Sequence, residues 1–437
     1  MGALYQAGKI KKALIVCPLS ITGVWREELN KFADFDFVVA KLEGSSTKKI
    51  DTLRNMKGSP LQVAIINYES AWRLEKELLE FNADIVISDE SHKIKTHNIS
   101  ASKTMHKIGA KARYKMMLTG TVITNKALDV FSQYKFINPA VFGHSYYVFR
   151  NKYFNMTGYG NHTPVLKKSM EQELMDRLHS IAFRVTKAEC LDLPAITDIV
   201  RFVDLEAGAM RVYKDLVKDS FAELSKGEVT VTNILTRLLR LSQLTGGFIG
   251  DDDGNLPQRI STAKLKALED IIDEALNENK KLVIIARFVP EINAICKLVA
   301  SKKVEINGNA EPVQYSLIKG GVNDRDLQVS QFQNDTNVQV FIGQIATAGE
   351  GITLTAASTM VFYSLDYSMS HFEQAKARIH RVGQTDKCTY IYLTAKGTVD
   401  EKVLKALQNK ADLARSLVDD YNGGVNPFIL RGGGSGE

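Results

Sequence analysis

Only four cysteines occur in 437 residues (Cys17, Cys190, Cys296 and Cys388), far apart and with no C-x-x-C pair. That scarcity argues against a disulfide framework or a zinc site and suits a reducing compartment, with all four expected to be packing residues. The eight histidines show no metal-ligand spacing. No apolar run approaches the roughly 18–20 residues that cross a bilayer, and the N-terminus lacks a signal-peptide pattern. The expectation is an intracellular protein with no membrane role, cytoplasmic or nucleoid-associated, or acting in a host cell if phage-encoded.

Net charge is also modest. Lys and Arg total 56 against 50 Asp and Glu, a formal charge of +6. Such a surplus permits a polyanionic partner without demanding one. Hydrophobic residues make up 44% and charged residues 24%, a globular profile, and the length allows two domains with separate cores.

Against these absences stands a regular alternation of short apolar runs and amphipathic stretches. Residues 13–17 (ALIVC), 62–66, 84–87 and 115–118 read as strands. Ser20 is the expected N-cap of a helix with Trp25, Leu29 and Phe32 on one face, and Leu74, Leu78 and Phe81 mark another helix. In the second half, strands are expected at 282–286, 338–342, 360–363 and 389–393, with a helix through Leu265, Leu268, Ile272 and Leu276 that Thr262 caps. This rhythm implies an α/β fold of parallel sheets covered on both faces. It lapses over 140–180, which reads as a surface insertion, and Asp192-Leu193-Pro194 punctuates the chain. The expected domains are 1–195 and 196–431, with 432–437 a flexible tail. Residues 251–255 (DDDGN) resemble the start of a calcium loop but lack its final Glu, and read as a solvated turn.

In open parallel sheets, ligands bind beyond the carboxyl ends of the strands. Asp89 and Glu90 emerge at such an end. Adjacent carboxylates suit nucleotide hydrolysis, one holding Mg²⁺ and the other activating water. The competing reading is an ordinary acidic turn before a helix. His92 is placed to link this site to a neighbouring loop. Leu118-Thr119-Gly120-Thr121 closes the next strand with two hydroxyls able to touch the carboxylate loop. Residues 374–384 (QAKARIHRVGQ) place Arg378 and Arg381 three apart, on one face if helical. There they can meet nucleotide phosphates, or else form a basic face exposed to water or docked on phosphodiester. Gly349 and Gly351 follow the 338–342 strand, where glycine lets backbone N–H groups approach phosphate.

In this order the elements resemble the helicase-like motors of superfamily two, and within them the Swi/Snf-type double-stranded DNA translocases. The matching pieces are VCPLSITGVWREEL (16–29), INYE (66–69), DESH (89–92), LTGT (118–121), TAGEGITLTAAS (347–358) and QAKARIHRVGQ (374–384), with FRVTKAECLDLP (183–194) similar to the family's connector. TAGEGITLTAAS is most similar to the branch that includes annealing helicases and compact microbial and viral relatives. The resemblance implies two RecA-like lobes, each a parallel β-sheet flanked by helices, with a nucleotide cleft between them. It implies ATP as substrate and Mg²⁺ as cofactor. It assigns metal coordination to Asp89, water activation to Glu90 and phosphate sensing to Arg378 and Arg381. Nucleotide contacts fall to Gln374, Gly349 and Gly351, and coupling to His92, Thr119 and Thr121. Pro18, Ser20, Thr347 and Gly349 lie along the nucleic-acid groove. The implied partner is double-stranded DNA, gripped by its phosphate backbone irrespective of sequence, by a monomer.

Two departures stand out. Val122 replaces the proline usual after LTGT. More consequentially, no G-x-x-x-x-G-K-[ST] phosphate cradle is present; Gly2 to Ile10 has one residue too many between its glycines and Ile10 in place of the hydroxyl. The family carries this cradle just upstream of the position of Met1. The expectation is therefore a motor lacking that segment through a misassigned start, trimming or a split gene. The alternatives are a non-catalytic DNA-binding module and a strand-separating helicase.

Overall fold

Five short runs in the first 120 residues join into one parallel sheet. They are β1 (Lys12–Cys17), β2 (Phe37–Lys41), β3 (Leu61–Asn67), β4 (Ile85–Asp89) and β5 (Tyr114–Leu118), in the order β2-β3-β1-β4-β5. The two-residue period of a strand sends alternate side chains to opposite layers. Leu14, Val16, Ala64, Ile66 and Val86 join Leu74, Leu78, Phe81 and Met105 in one core. Ala13, Ile15, Cys17, Val63, Ile65 and Ile87 join Ile10 and Leu29 in the other, with Trp25 packed against it. This computed structural model describes residues 1–58, 60–120, 122–123, 126–157, 163–185, 190–225, 231–250, 257–306, 309–322, 324–348 and 351–414. The chain divides into two units, Met1–Arg184 with Asp412–Glu437, and Val185–Ala411.

Several local expectations change. Ser20 does not cap a helix: it lies within a 3₁₀ turn, Leu19–Ile21, and the helix Thr22–Phe32 starts without a side-chain cap. The Thr22 hydroxyl instead closes that turn by donating to the Leu19 carbonyl at 2.9 Å. Phe32, the last residue of the helix, is 68% exposed rather than buried beside Leu29. The single helix expected through 74–81 is two, Tyr68–Arg73 and Glu75–Phe81, broken at Leu74, whose side chain is nevertheless buried. The stretch expected as a surface insertion builds a core of its own. Helices Tyr146–Tyr153 and Lys168–His179 flank the hairpin of β6 (Phe154–Thr157) and β7 (Thr163–Leu166), and Phe142, Phe149 and Tyr153 cluster with Phe131 and Tyr134.

The second unit has β8 (Ile196–Val203), the short pair β9 (Phe248–Ile249) and β10 (Gln258–Arg259), β11 (Leu282–Ala286), the hairpin β12 (Lys303–Ile306) and β13 (Asn309–Pro312), β14 (Gln314–Ile318), β15 (Val338–Gln344), β16 (Thr359–Phe362) and β17 (Cys388–Ala395). Six of these form a parallel sheet in the order β14-β15-β11-β16-β17-β8. Thr262 does occupy the cap position of the helix Ala263–Asn277 but does not cap it; its hydroxyl donates to Glu206 at 2.9 Å. Cys17 and Cys388 are buried and Cys296 half-buried, whereas Cys190 is exposed, against the packing role expected of all four. Residues 251–255 and 432–437 lie outside the described residues. Among the described residues no helix is long and apolar enough to cross a membrane.

One carboxyl group is sealed into the second unit. Glu291 is 1% exposed and lies in the first turn of the helix Val289–Ser301. Its Oε2 accepts from the backbone N–H groups of Arg287 (3.3 Å) and Phe288 (3.1 Å) and from the Ser364 hydroxyl (2.5 Å). Among the described residues its Oε1 has no hydrogen-bond partner, and a Cβ on Gly246 would meet it at 1.8 Å. Burial pushes the carboxyl from 4.5 up to about 7, opposed by its hydrogen bonds and by Lys264, while the Asp400 paired with Lys264 at 2.6 Å adds to the rise. Below pH 4.5 the group is protonated folded and unfolded alike; above pH 7 it is charged in both, and the folded state carries a penalty of at most about 3 kcal/mol. Glu291→Gln removes that term. In urea melts, the stability of the variant relative to the parent is expected to rise between pH 5 and pH 8, and an unchanged difference would refute the assignment.

Candidate functional site

Because β1, β3, β4 and β5 run parallel, their last residues meet at one edge. Register sets Val16 beside Ser88, Cys17 beside Asn67 and Asp89 beside Leu118. Pro18, Tyr68, Glu90 and Thr119, the next residues of the four strands, therefore line the same edge. Asp89 is half-buried, and both its carboxylate oxygens are engaged. Oδ2 accepts from the Trp25 indole N–H at 2.7 Å and Oδ1 from the Glu90 backbone N–H at 2.8 Å. Burial holds this carboxyl above its usual range, against the pull of the Trp25 hydrogen bond, and the Glu90 charge adds to the rise. The Tyr68 hydroxyl donates to the Asp89 carbonyl at 2.5 Å and lies 2.8 Å from the Ser88 hydroxyl, fixing the strand's end. Burial, with the Asp89 charge beside it, pushes the neighbouring Cys17 thiol up to about 12, so it is no nucleophile at neutral pH.

The chain turns sharply after Asp89. Glu90 adopts a left-handed conformation (φ 50°, ψ 53°), which a non-glycine residue holds only at a cost in strain. Its Oε2 lies 3.1 Å from His92 Nδ1. Ser91 is buried, and its hydroxyl donates to Gln133 Oε1 at 2.7 Å. The Gln133 amide in turn donates to the carbonyls of Val122 (2.8 Å) and Asp129 (2.9 Å). A fully buried glutamine thus ties the carboxylate loop to the loop after β5. Thr119 is half-buried beside Leu118, and Thr121 lies outside the described residues. Pro18 is buried, and Ser20 is half-buried in the 3₁₀ turn.

In the second unit, Ala286 pairs with Gln344, and Thr347 follows in the short helix Ile345–Ala348, its hydroxyl donating to the Gln344 carbonyl at 3.3 Å. Gly349 lies outside the described residues, while Gly351 has φ 68°, the left-handed region that favours glycine. Arg378 and Arg381 do not share a helix face, because the helix Met369–Lys376 has already ended and both sit in the turns that follow. They converge by another route: each guanidinium donates through Nη1 to the Ile352 carbonyl, at 3.1 and 3.2 Å. Arg378 Nε also donates to the carbonyl of Gln374, which is half-buried on that helix. Among the described residues Arg381 has no carboxylate within 4.0 Å.

Gln384 anchors these turns. Its buried amide donates to the carbonyls of Thr355, Ala357 and Ile379, and its oxygen accepts from the N–H groups of Thr385 and Asp386. His380 Nε2 lies 2.9 Å from the Pro194 carbonyl. The two stretches singled out in the second half, 347–358 and 374–384, are thus stitched together. Trp25, Tyr68 and Gln133 had carried no assigned role at the site; Trp25 and Tyr68 lie within stretches already singled out, but the partner of each is set by tertiary packing.

No group of three or more metal-ligating side chains occurs among the described residues. Asp89 fits a hard cation of the Mg²⁺ kind, which is usually held by one or two carboxylates while phosphate and water supply the other ligands. Each of its oxygens keeps a lone pair beyond the hydrogen bond it accepts.

A family model for the SNF2-related domain matches residues 3–246, more than half of the chain, and one for the helicase conserved C-terminal domain matches 263–383. Among similar proteins, the DNA repair and recombination protein RDH54 of Saccharomyces cerevisiae (strain JAY291) is 26% identical over 94% of this chain and 47% of its own length. The uncharacterized ATP-dependent helicase MG018 of Mycoplasma genitalium is 26% identical over 96% of this chain and 38% of its own. Human ZRANB3, a DNA annealing helicase and endonuclease, is 28% identical over 93% and 36%. The chain spans less than half the length of each. A solved structure, the Sulfolobus solfataricus SWI2/SNF2 ATPase core in complex with dsDNA, is 26% identical over 95% of this chain and 84% of that one, with a TM-score of 0.41.

The two glutamine anchors lend themselves to direct measurement. Gln133→Leu strands the Ser91 hydroxyl and the Val122 carbonyl, and Gln384→Leu strands three carbonyls and two N–H groups. Each substitution is expected to cost roughly 2–4 kcal/mol in denaturant melts. A change within about 0.5 kcal/mol, the range of ordinary surface substitutions, would deny these residues an anchoring role.

Proposed function

This chain belongs to the SNF2-related family, and from that premise we propose that it forms the lobes of an ATP-driven motor that moves along double-stranded DNA. The observation that carries the proposal is the edge of the first sheet. There an acidic pair is presented with its two members held differently: Asp89 by hydrogen bonds to both oxygens, Glu90 by a strained turn and by His92. Unequal surroundings suit unequal tasks.

In this reading Asp89, with Mg²⁺, faces the phosphates of ATP. The ion, when bound, neutralises charge on the phosphate oxygens. Glu90 takes the proton of the attacking water, and His92 fixes the direction in which the Glu90 carboxylate points. Arg378 and Arg381, already turned together toward one carbonyl, supply positive charge to the transferring phosphate, with Gln374, Gly349 and Gly351 beside the nucleotide. Thr119 and Thr121, with the Gln133 clamp, relay changes at the carboxylate loop. Pro18, Ser20 and Thr347 contact the DNA backbone. Phosphate contacts of this kind do not read sequence, and they weaken as salt displaces the protein from the counterion atmosphere. Displacement of bound protein or reshaping of the duplex follows from such motion without separation of strands.

The 437-residue chain is expected to bind duplexes of unrelated sequence alike, with affinity falling steeply from 50 to 200 mM salt in anisotropy titrations. Hydrolysis is tested with a strand, phosphate cradle and helix added ahead of Met1. Duplex DNA should then stimulate ATP turnover more than single strands do, Glu90→Gln should abolish it, and Arg378→Ala or Arg381→Ala should lower kcat by about 10³–10⁵. Absence of turnover with every duplex would defeat the proposal. Stimulation by single strands, with unwinding, would make the protein a strand-separating helicase instead.

A further inference from the structure

The hydrogen bond between Trp25 and Asp89 connects two places that the proposed function keeps separate. Trp25 stands on the helix Thr22–Phe32, which the chain enters through Pro18 and the turn Leu19–Ile21. Asp89 ends β4. The bond therefore runs from the helix that follows the segment assigned to the DNA backbone to the carboxylate assigned to the cation, and spans 64 residues of sequence.

The surroundings make it a lever rather than a loose contact. At the Trp25 end, Leu29 is buried one helical turn further on, and Trp25 itself packs on the core beneath the sheet. At the entrance, Thr22 is buried and its hydroxyl clamps the Leu19 carbonyl. A load on the turn is thereby passed to the helix instead of being absorbed at the junction. At the Asp89 end, the backbone is immobilised by its neighbours β1 and β5 and by the Tyr68 hydroxyl on its carbonyl. What remains able to respond is the carboxylate, whose Oδ2 is held by the indole N–H while its Oδ1 accepts from the Glu90 backbone N–H. A hydrogen bond of 2.7 Å weakens over a few tenths of an ångström or a modest tilt. A small shift of the helix therefore reorients the Asp89 oxygens while leaving the strand in place.

We propose that Trp25 is a positioning residue that couples duplex DNA at the Pro18–Ile21 turn to the cation held by Asp89. The proposal rests on the functional reading above for the identity of both ligands. Coupling between sites is reciprocal: DNA shifts cation affinity by the same factor as the cation shifts DNA affinity.

The test uses the full chain with Mn²⁺ alone as the cation and a random-sequence 30-base-pair duplex as the DNA. Water-proton relaxation reads Mn²⁺ affinity with and without duplex, and anisotropy reads duplex affinity with and without Mn²⁺. In the parent, duplex is expected to change Mn²⁺ affinity on the order of tenfold, with the same factor in the reverse experiment. In Trp25→Phe that ratio is expected to fall to one while both ligands still bind. A residue that only supports the fold would weaken both affinities and leave the ratio intact. If Trp25→Phe does not fold, replacing Trp25 by benzothienylalanine, which keeps the ring shape but lacks the N–H donor, decides the question. In Trp72→Phe, Trp25 is the sole tryptophan of two, and Mn²⁺ should quench its emission unless Asp89→Asn is also present. Coupling that persists without the indole N–H overturns the inference and leaves the motor reading standing. A parent that binds neither Mn²⁺ nor duplex overturns both.

Discussion

The constraint on which this structure turns is the burial of a parallel sheet on both faces. β1, β3 and β4 send side chains alternately into two apolar cores, so no polar group can be placed along them without losing its water. Chemistry is confined to the residues where the strands end. Parallel pairing then brings four such ends to one edge, whatever their separation in sequence. Asp89 and Glu90 reach the edge because β4 stops there, and Pro18, Tyr68 and Thr119 join them because their strands stop in the same register.

An edge of loops needs anchoring, since each turn leaves backbone groups without ladder partners. The two units solve this alike. A buried glutamine, Gln133 in one and Gln384 in the other, serves several groups at once through an amide that both donates and accepts. Either side chain joins stretches that a local reading treats as separate. The strained turn at Glu90 is tolerable in that setting: Ser91, the next residue, is fastened to Gln133, so the left-handed conformation is imposed from outside.

Glu291 shows the same economy carried into the core. It closes the ends of β11 and β16 together through Arg287, Phe288 and Ser364, with its charge suppressed by burial. It stands opposite in character to Asp89, whose carboxylate is only half-buried and accepts hydrogen bonds on both oxygens. The surroundings, not the residue type, set the two carboxyl groups apart.

The amino-acid sequence by itself determined the central strands of both sheets. A strand buried on both faces must be a continuous apolar run, and residues 13–17, 62–66, 84–87, 282–286, 338–342, 360–363 and 389–393 each fall on a strand of the structure, with Asp84 and Tyr363 just outside. It also determined that the acidic pair ends a strand and that the motif order is that of the SNF2-related family. The strands β2, β8 and β14 escaped notice because they are edges, half exposed and therefore mixed in composition. Only the tertiary structure decided which side chains hold the site. Trp25 reaches Asp89 across 64 residues and Gln133 reaches Ser91 across 42; Thr262 turned to Glu206, and the two arginines met on a carbonyl in a turn rather than along a helix. Such partners are fixed by strand register and by where each helix stops, quantities that arise from packing the whole chain and are written in no short segment of it.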